Sequence, residues 1–191
     1  MRAAAALLLV CVLALAGCAP DQFRSTDITG ANFARDFELT DHNGKSRALA
    51  DFRGKVVVLF FGFTHCPDIC PSTLAQFAQA AKQLGDDAER VQFLFVTVDP
   101  ERDTPEVLRA YVPAFDSRFI GLTGDMPAIT RTAKEFKVLF QKQPGKTADS
   151  YTVDHSAGTY VFDPAGRARL FARHDQPVPD LVHDIRLLLA G

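Results

Sequence analysis

The 191 residues include no tryptophan, two methionines and three tyrosines, and cysteine occurs four times. There is no long run of lysine or arginine, and the formal net charge is −2, so nucleic-acid binding has no electrostatic support. No internal repeat and no shift in composition marks a second domain. The hydrophobic share of 47% and charged share of 23% are those of a globular chain with one real core. Only one apolar run is long. It covers 3–16, follows Met1-Arg2 and ends at the small residues Gly17-Cys18. It is too short for a membrane span and reads as a secretory signal peptide.

Leu15-Ala16-Gly17-Cys18 resembles a bacterial lipobox, in which the cysteine is lipidated and becomes the mature N-terminus. The expected organisation is therefore a lipoprotein signal peptide over 1–17, a lipid-anchored tether over 18–33 and one domain over 34–191. Ala19 follows Cys18, so the aspartate that retains many lipoproteins in the inner membrane is missing, and sorting between membranes stays open. Cys11 is lost with the signal and Cys18 is capped by lipid, which leaves Cys66 and Cys70 as thiols. Export places them where disulfides can persist.

The domain is organised around 56–71. Val56 to Phe63 is β-branched and aromatic with almost no polar group, the pattern of a strand buried on both faces. Pro71 suits a first helical turn. Leu74, Phe77, Ala78, Ala81 and Leu84 then share one helical face, and Gly85 stops the helix. Cys66 and Cys70 thus lie at a helix N-terminus, where free N–H groups favour negative charge and a thiol is expected to ionise more readily.

Upstream, 37–39 and 47–49 flank Asn43-Gly44, a hairpin-turn signal. Downstream, 91–98 reads as a second buried strand, which implies a parallel βαβ unit. Asp103 or Thr104 followed by Pro105 starts a helix to about Tyr111, 119–122 is a short apolar piece, and Asp125 caps a helix bearing Ile129, Ala133 and Phe136. Residues 141–150 read as an exposed loop and 151–162 as one strand. A turn at 163–166 leads to a returning strand over 167–173, and a last helix starts at Asp180. The sum is an α/β, thioredoxin-like arrangement, βαβ–ββα around a mixed sheet, with an added N-terminal hairpin and an extended middle.

Two cysteines four apart close too short a loop to act as a useful staple. Their place after a buried strand suits redox chemistry or metal binding. The thioredoxin motif has two residues between its cysteines and usually a preceding tryptophan; here there are three, and no tryptophan. A metal needs a third ligand. His42 reads as a solvated turn residue, His65 as a neighbour able to tune Cys66, and His174 and His183 as solvated. His155 begins the strand that opens the ββα half, where the thioredoxin arrangement brings that entry loop opposite the cysteines. Two thiolates and one imidazole suit copper, Cu(I) in particular. Zinc would want a fourth ligand such as Asp154 or Asp99. Thr64 and Cys66 come one residue short of a peroxidase Thr-x-x-Cys.

Read together, Phe63-Thr64-His65-Cys66-Pro67-Asp68-Ile69-Cys70-Pro71, Val98-Asp99-Pro100-Glu101-Arg102-Asp103-Thr104 and Asp154-His155-Ser156 resemble the three signatures of the Sco/SenC copper proteins. The resemblance implies a thioredoxin-like fold on the outer face of a bacterial cytoplasmic membrane. It also implies copper, as Cu(I) or Cu(II), held by Cys66, Cys70 and His155, with Asp99, Asp103 and Asp154 supporting or regulating from behind. The implied work is assembly of the binuclear Cu-A centre in cytochrome c oxidase subunit II, with copper received from an upstream donor. The same dithiol leaves two alternatives: a thiol–disulfide oxidoreductase acting on the Cu-A cysteines, with Cys66 and Cys70 as its catalytic pair, and a copper or redox sensor.

Overall fold

The computed structural model describes residues 22–145 and 150–191. In chain order the strands are β1 (Thr26–Asp27), β2 (Glu38–Asp41), β3 (Ser46–Ala48), β4 (Val56–Gly62), β5 (Val91–Thr97), β6 (Ile120–Thr123), β7 (Phe140–Gln143), β8 (Thr152–His155), β9 (Gly158–Phe162) and β10 (Ala168–Arg173). The α-helices are α1 (Ile69–Leu84), α2 (Pro105–Tyr111), α3 (Met126–Glu135) and α4 (Val178–Ala190). None of the helices among the described residues is long and apolar enough to cross a membrane. The expected signal peptide and the lipidated Cys18 lie outside the described residues.

Eight strands form one sheet in the order β1-β10-β9-β4-β5-β6-β2-β3, and β7 and β8 pair separately. At its centre β4 runs parallel to β5 and antiparallel to β9. Every residue of β4 and β5 is buried, as two-sided apolar strands must be. Phe60 meets Phe77 of α1 edge to face on one side of the sheet. Phe61 meets Phe136, just past α3, on the other. Alternation along one strand therefore builds both halves of the core. α4 packs beside α1. The β4–α1–β5 unit and the antiparallel β9–β10 pair followed by α4 make a thioredoxin-like fold, and the hairpin β2–β3 adds to the far edge through β6.

The expected caps are in place. Thr104 and Asp125 accept hydrogen bonds from the backbone N–H groups of Val107 and Ala128, each with proline just inside the helix. Gly44, at φ 82°, supplies the left-handed turn of the β2–β3 hairpin.

Three stretches differ from the sequence reading. The tether expected over 18–33 lies against the domain from Phe23 onward. Asp184, fully buried on α4, accepts the backbone N–H groups of Arg24 and Ser25 at 2.7 and 2.8 Å, and β1 then adds an edge strand to β10. The expected 141–150 loop begins as strand β7. Its Phe-Gln-Lys-Gln sequence shows no apolar alternation because it has no buried face of its own and takes its register from β8. The single strand expected over 151–162 breaks at Ser156-Ala157, where the chain leaves the β7–β8 pair and enters the main sheet as β9.

His42 is also not the solvated turn residue expected. It is 6% exposed because β2 pairs with β6, which folds the turn onto the sheet. Its Nδ1 accepts the Gly121 N–H at 3.0 Å, and its carbonyl accepts Arg109 Nε at 2.9 Å. Burial holds its pKa below the usual 6.5. Arg109 and Arg47 act the same way, and Asp41 opposes them. A protonated Nδ1 could not accept the Gly121 N–H, so the folded state resists a proton that the unfolded chain takes up. This contribution is present above about pH 6.5 and is lost as pH falls below it. His42→Asn keeps an acceptor without the titration. Thermal unfolding between about pH 7.5 and pH 5 should therefore decline less steeply for the variant than for the wild type; parallel curves would rule out the buried imidazole as the source.

Candidate metal centre

Strand β4 ends at Gly62, and the chain turns through 63–68 into α1. A cluster of hydrogen bonds to Asp103 pins that turn. Asp103 is fully buried and accepts the Thr64 N–H at 3.0 Å, the Thr64 hydroxyl at 2.6 Å and the Thr97 hydroxyl at 2.7 Å. Burial pushes its carboxyl pKa up, while these donors pull it down. The loop thereby hangs from a carboxylate group on the β5–α2 connection.

The two cysteines differ. Cys66 is partly exposed, and its Sγ accepts the backbone N–H of Cys70 at 3.4 Å. Cys70 is fully buried, and burial pushes its thiol well above the usual range. For Cys70 this overturns the expectation of a readily ionised thiol. Its own N–H, the helix-end donor, is aimed at Cys66, while its side chain lies on apolar surroundings. Space for that sulfur comes from Gly62. A Cβ there would stand 2.9 Å from Cys70 Sγ, 2.7 Å from Phe95 and 2.8 Å from Phe60. Both thiols are free.

His155 ends β8, at the break before β9. Its Nδ1 lies 3.1 Å from the Ser156 carbonyl oxygen, an acceptor, so the proton belongs on Nδ1. The unprotonated Nε2 then faces Cys70 Sγ at 3.5 Å. Phe60 and Phe63 hold the ring edge to face, each at 5.9 Å. Burial lowers the His155 pKa, so the neutral, ligating form is favoured.

The ligand atoms of Cys66, Cys70 and His155 all lie within 4.8 Å of one another. A sulfur and a nitrogen 3.5 Å apart can share an ion about 2.3 and 2.0 Å away at a near-tetrahedral angle. Two sulfurs and one imidazole favour a soft ion. The chemistry and the proximity of the three donors fit a single metal ion.

The remaining candidates lie elsewhere. Asp154 is exposed on β8 and accepts Gln143 Nε2. Asp99 is fully buried but faces Arg102 and Tyr151. The exposed His65 contacts the Thr64 hydroxyl, and His174 is also exposed. His183 lies against the Gln22 carbonyl. Sequence reasoning missed Gly62, Thr97 and Tyr151, and quoted Thr64 and Arg102 in the signatures without these roles. Of these, only Gly62, a glycine closing a strand of bulky residues, carried a local signal of close approach.

A family profile described as SCO1/SenC matches residues 25–190. The chain belongs to the SCO1/SenC family. Among curated Sco relatives, the mitochondrial SCO2 homolog of Bos taurus is 46% identical over 135 residues, which are 69% of this chain and 50% of that protein. The chain thus spans about half the length of such relatives. Among solved Sco structures, the apo Sco1 solution structure from Thermus thermophilus is 40% identical with a TM-score of 0.80, and covers 90% of this chain and 100% of that one. Copper-bound ScoI of Bradyrhizobium japonicum is 36% identical with a TM-score of 0.76, and covers 82% and 99%.

Two measurements test the site's construction. In the reduced, metal-free protein near neutral pH, iodoacetamide should label Cys66 at least about tenfold faster than Cys70, because the thiolate is the reacting form; equal rates would contradict the burial of Cys70. Gly62→Ala should lower stability by about 1–3 kcal/mol through overpacking. It should also weaken metal binding, read by thermal unfolding and by metal titration.

Proposed function

We propose that this chain carries copper on Cys66, Cys70 and His155 and delivers it during assembly of the Cu-A centre of cytochrome c oxidase subunit II. The observation that carries the reading is the convergence of two sulfurs and one imidazole nitrogen within 4.8 Å. The copper-bound Sco relatives support copper as the cargo. Cys66 and Cys70 suit Cu(I) by softness, and imidazole accepts Cu(II) as well.

The ligand set also suits transfer. Three ligands leave an open position for an incoming cysteine, so ligands can be exchanged one at a time. Cys66, partly exposed, is the one an acceptor can reach first, while Cys70 and His155 hold from inside. Binding requires deprotonated sulfurs, so copper entry releases protons and is favoured as pH rises. Asp99 and Asp103 are assigned supporting roles behind the ligands, and Asp154, exposed on β8 next to His155, an electrostatic one.

Cys18 is proposed to carry the lipid, which places the domain outside the cytoplasm on a bacterial membrane. Copper then comes from an upstream donor in that compartment.

The exposed–buried pairing of the thiols favours one second reading, reduction of the Cu-A cysteines. The Cys66 thiolate attacks a target disulfide and forms a mixed disulfide. Cys70 resolves it, closing a Cys66–Cys70 disulfide and leaving two target thiols; two electrons and two protons pass to the target. A copper or redox sensor would use the same ligands.

Copper stoichiometry and spectra of wild type and His155→Ala, with oxidase Cu-A content in a deletion strain, separate these readings. The expected result is one copper per wild-type chain, a marked loss of affinity in the variant, and restoration of Cu-A by the loaded protein. Unchanged binding in His155→Ala removes His155 from the site. Restoration by copper-free protein alone, with no gain from loading, establishes the reductase reading.

A further inference from the structure

We propose that Tyr151, Asp99 and Arg102 form a latch that holds the β7–β8 hairpin against the β5–α2 loop and so positions His155 over the cysteine sulfurs; this rests on the copper reading above. The hairpin needs such a tie. It lies outside the main sheet, β7 has no fully buried residue and β8 buries only Val153. A lone two-stranded pair is marginal in water. It nevertheless carries one of the three ligands at its end.

The tie is a closed set of contacts. The Tyr151 hydroxyl, just ahead of β8, donates to Asp99 Oδ1 at 2.7 Å. The other oxygen of that fully buried carboxylate accepts Arg102 Nε at 2.5 Å. The Arg102 guanidinium lies 3.6 Å from the Tyr151 ring centroid, and its Nη1 donates to the Tyr151 carbonyl at 3.0 Å. One tyrosine is therefore held by its hydroxyl, ring face and backbone at once. Burial and the Asp99 carboxylate push its phenol pKa to about 12, so it stays a donor at neutral pH. Lys142 of β7 pairs with Glu101 at 2.5 Å, but both are exposed and such a pair contributes little. Near His155, the Leu139 N–H meets the Ser156 hydroxyl, and the Ser156 N–H meets the Leu139 carbonyl. With its backbone fixed at both ends of a short strand, His155 cannot move far unless the hairpin moves.

The latch also carries a cost. Arg102 Nη2 is buried without a hydrogen-bond partner. A buried unpaired donor is destabilising, and opening the hairpin would let water satisfy it. That suits an element that must hold a ligand and also yield it. Tyr151, Asp99 and Arg102 are positioning residues: none belongs to the ligand group.

The test is a cycle of Tyr151→Phe and His155→Ala, read by competition with a Cu(I) chelator, by amide hydrogen exchange and by the dithiol reduction potential. Tyr151→Phe should weaken copper binding about tenfold, in line with losing a hydrogen bond to a charged group. Exchange should quicken in β7 and β8 while β4 and β5 stay protected and the potential stays put. In the His155→Ala background the same change should cost no further affinity. Wild-type affinity in Tyr151→Phe overturns the latch, as does an equal loss with His155 absent. Loosening of β4 and β5 in both Tyr151→Phe and Asp99→Asn also overturns it, since the residues would then serve the fold at large. Wild-type binding by His155→Ala sinks the site reading instead, which keeps the two failures apart.

Discussion

A thiol and an imidazole 85 residues apart in sequence stand 3.5 Å from each other, and much of the structure bears on keeping them there. Cys70 comes from the first turn of α1 and is sunk beside a glycine at the end of the central strand. His155 comes from a point where the chain changes sheets. Neither element could place its residue alone, because the meeting depends on β4 and β9 being neighbours in the sheet. Phe60 and Phe63 wall the histidine with apolar surface, so the donor atoms sit in surroundings that penalise stray charge. A cation there is tolerated only if the sulfurs give up protons to balance it.

The loop after β5 braces both halves of this site. Asp103 takes three hydrogen bonds and fixes the start of the cysteine loop through Thr64. Asp99, four residues earlier, is engaged by Arg102 and Tyr151 on the histidine side. Both carboxyl groups are fully buried; Asp99 is paired with Arg102, and Asp103 is satisfied by the neutral donors of Thr64 and Thr97, as buried polar groups require. Neither reaches the ligands, yet each touches an element that carries one. Asp99 and Asp103, at the two ends of the Asp-Pro-Glu-Arg-Asp segment, thus have separate mechanical duties.

Much of this was legible in the sequence. The uninterrupted apolar run of β4, the helical face from Leu74 to Leu84 and the caps at Thr104 and Asp125 are local patterns with local causes. Cys66, Cys70 and His155 stood out by residue type and by position relative to those elements. The signal failed where partners are distant. β7 has no hydrophobic rhythm because, among the described residues, it pairs with β8 alone. The break at Ser156-Ala157 is invisible because both flanking segments are good strand sequences. His42 looked solvated because an Asn-Gly turn says nothing of the strand it folds onto. The buried state of Cys70 was missed for a related reason: a helix N-terminus was taken as the controlling influence, while the pocket beneath it decides.

The grip of Asp184 on the backbone of Arg24 and Ser25 bears on geometry at the membrane. With Cys18 as the lipidated residue proposed above, only six residues of chain would separate the lipid from that grip, a contour length of about 20 Å. The domain would then stay within a distance of the lipid headgroups comparable to its own radius. Its encounters would be confined to a thin layer, and acceptors embedded in the same bilayer would meet it at far higher local concentration than freely diffusing proteins.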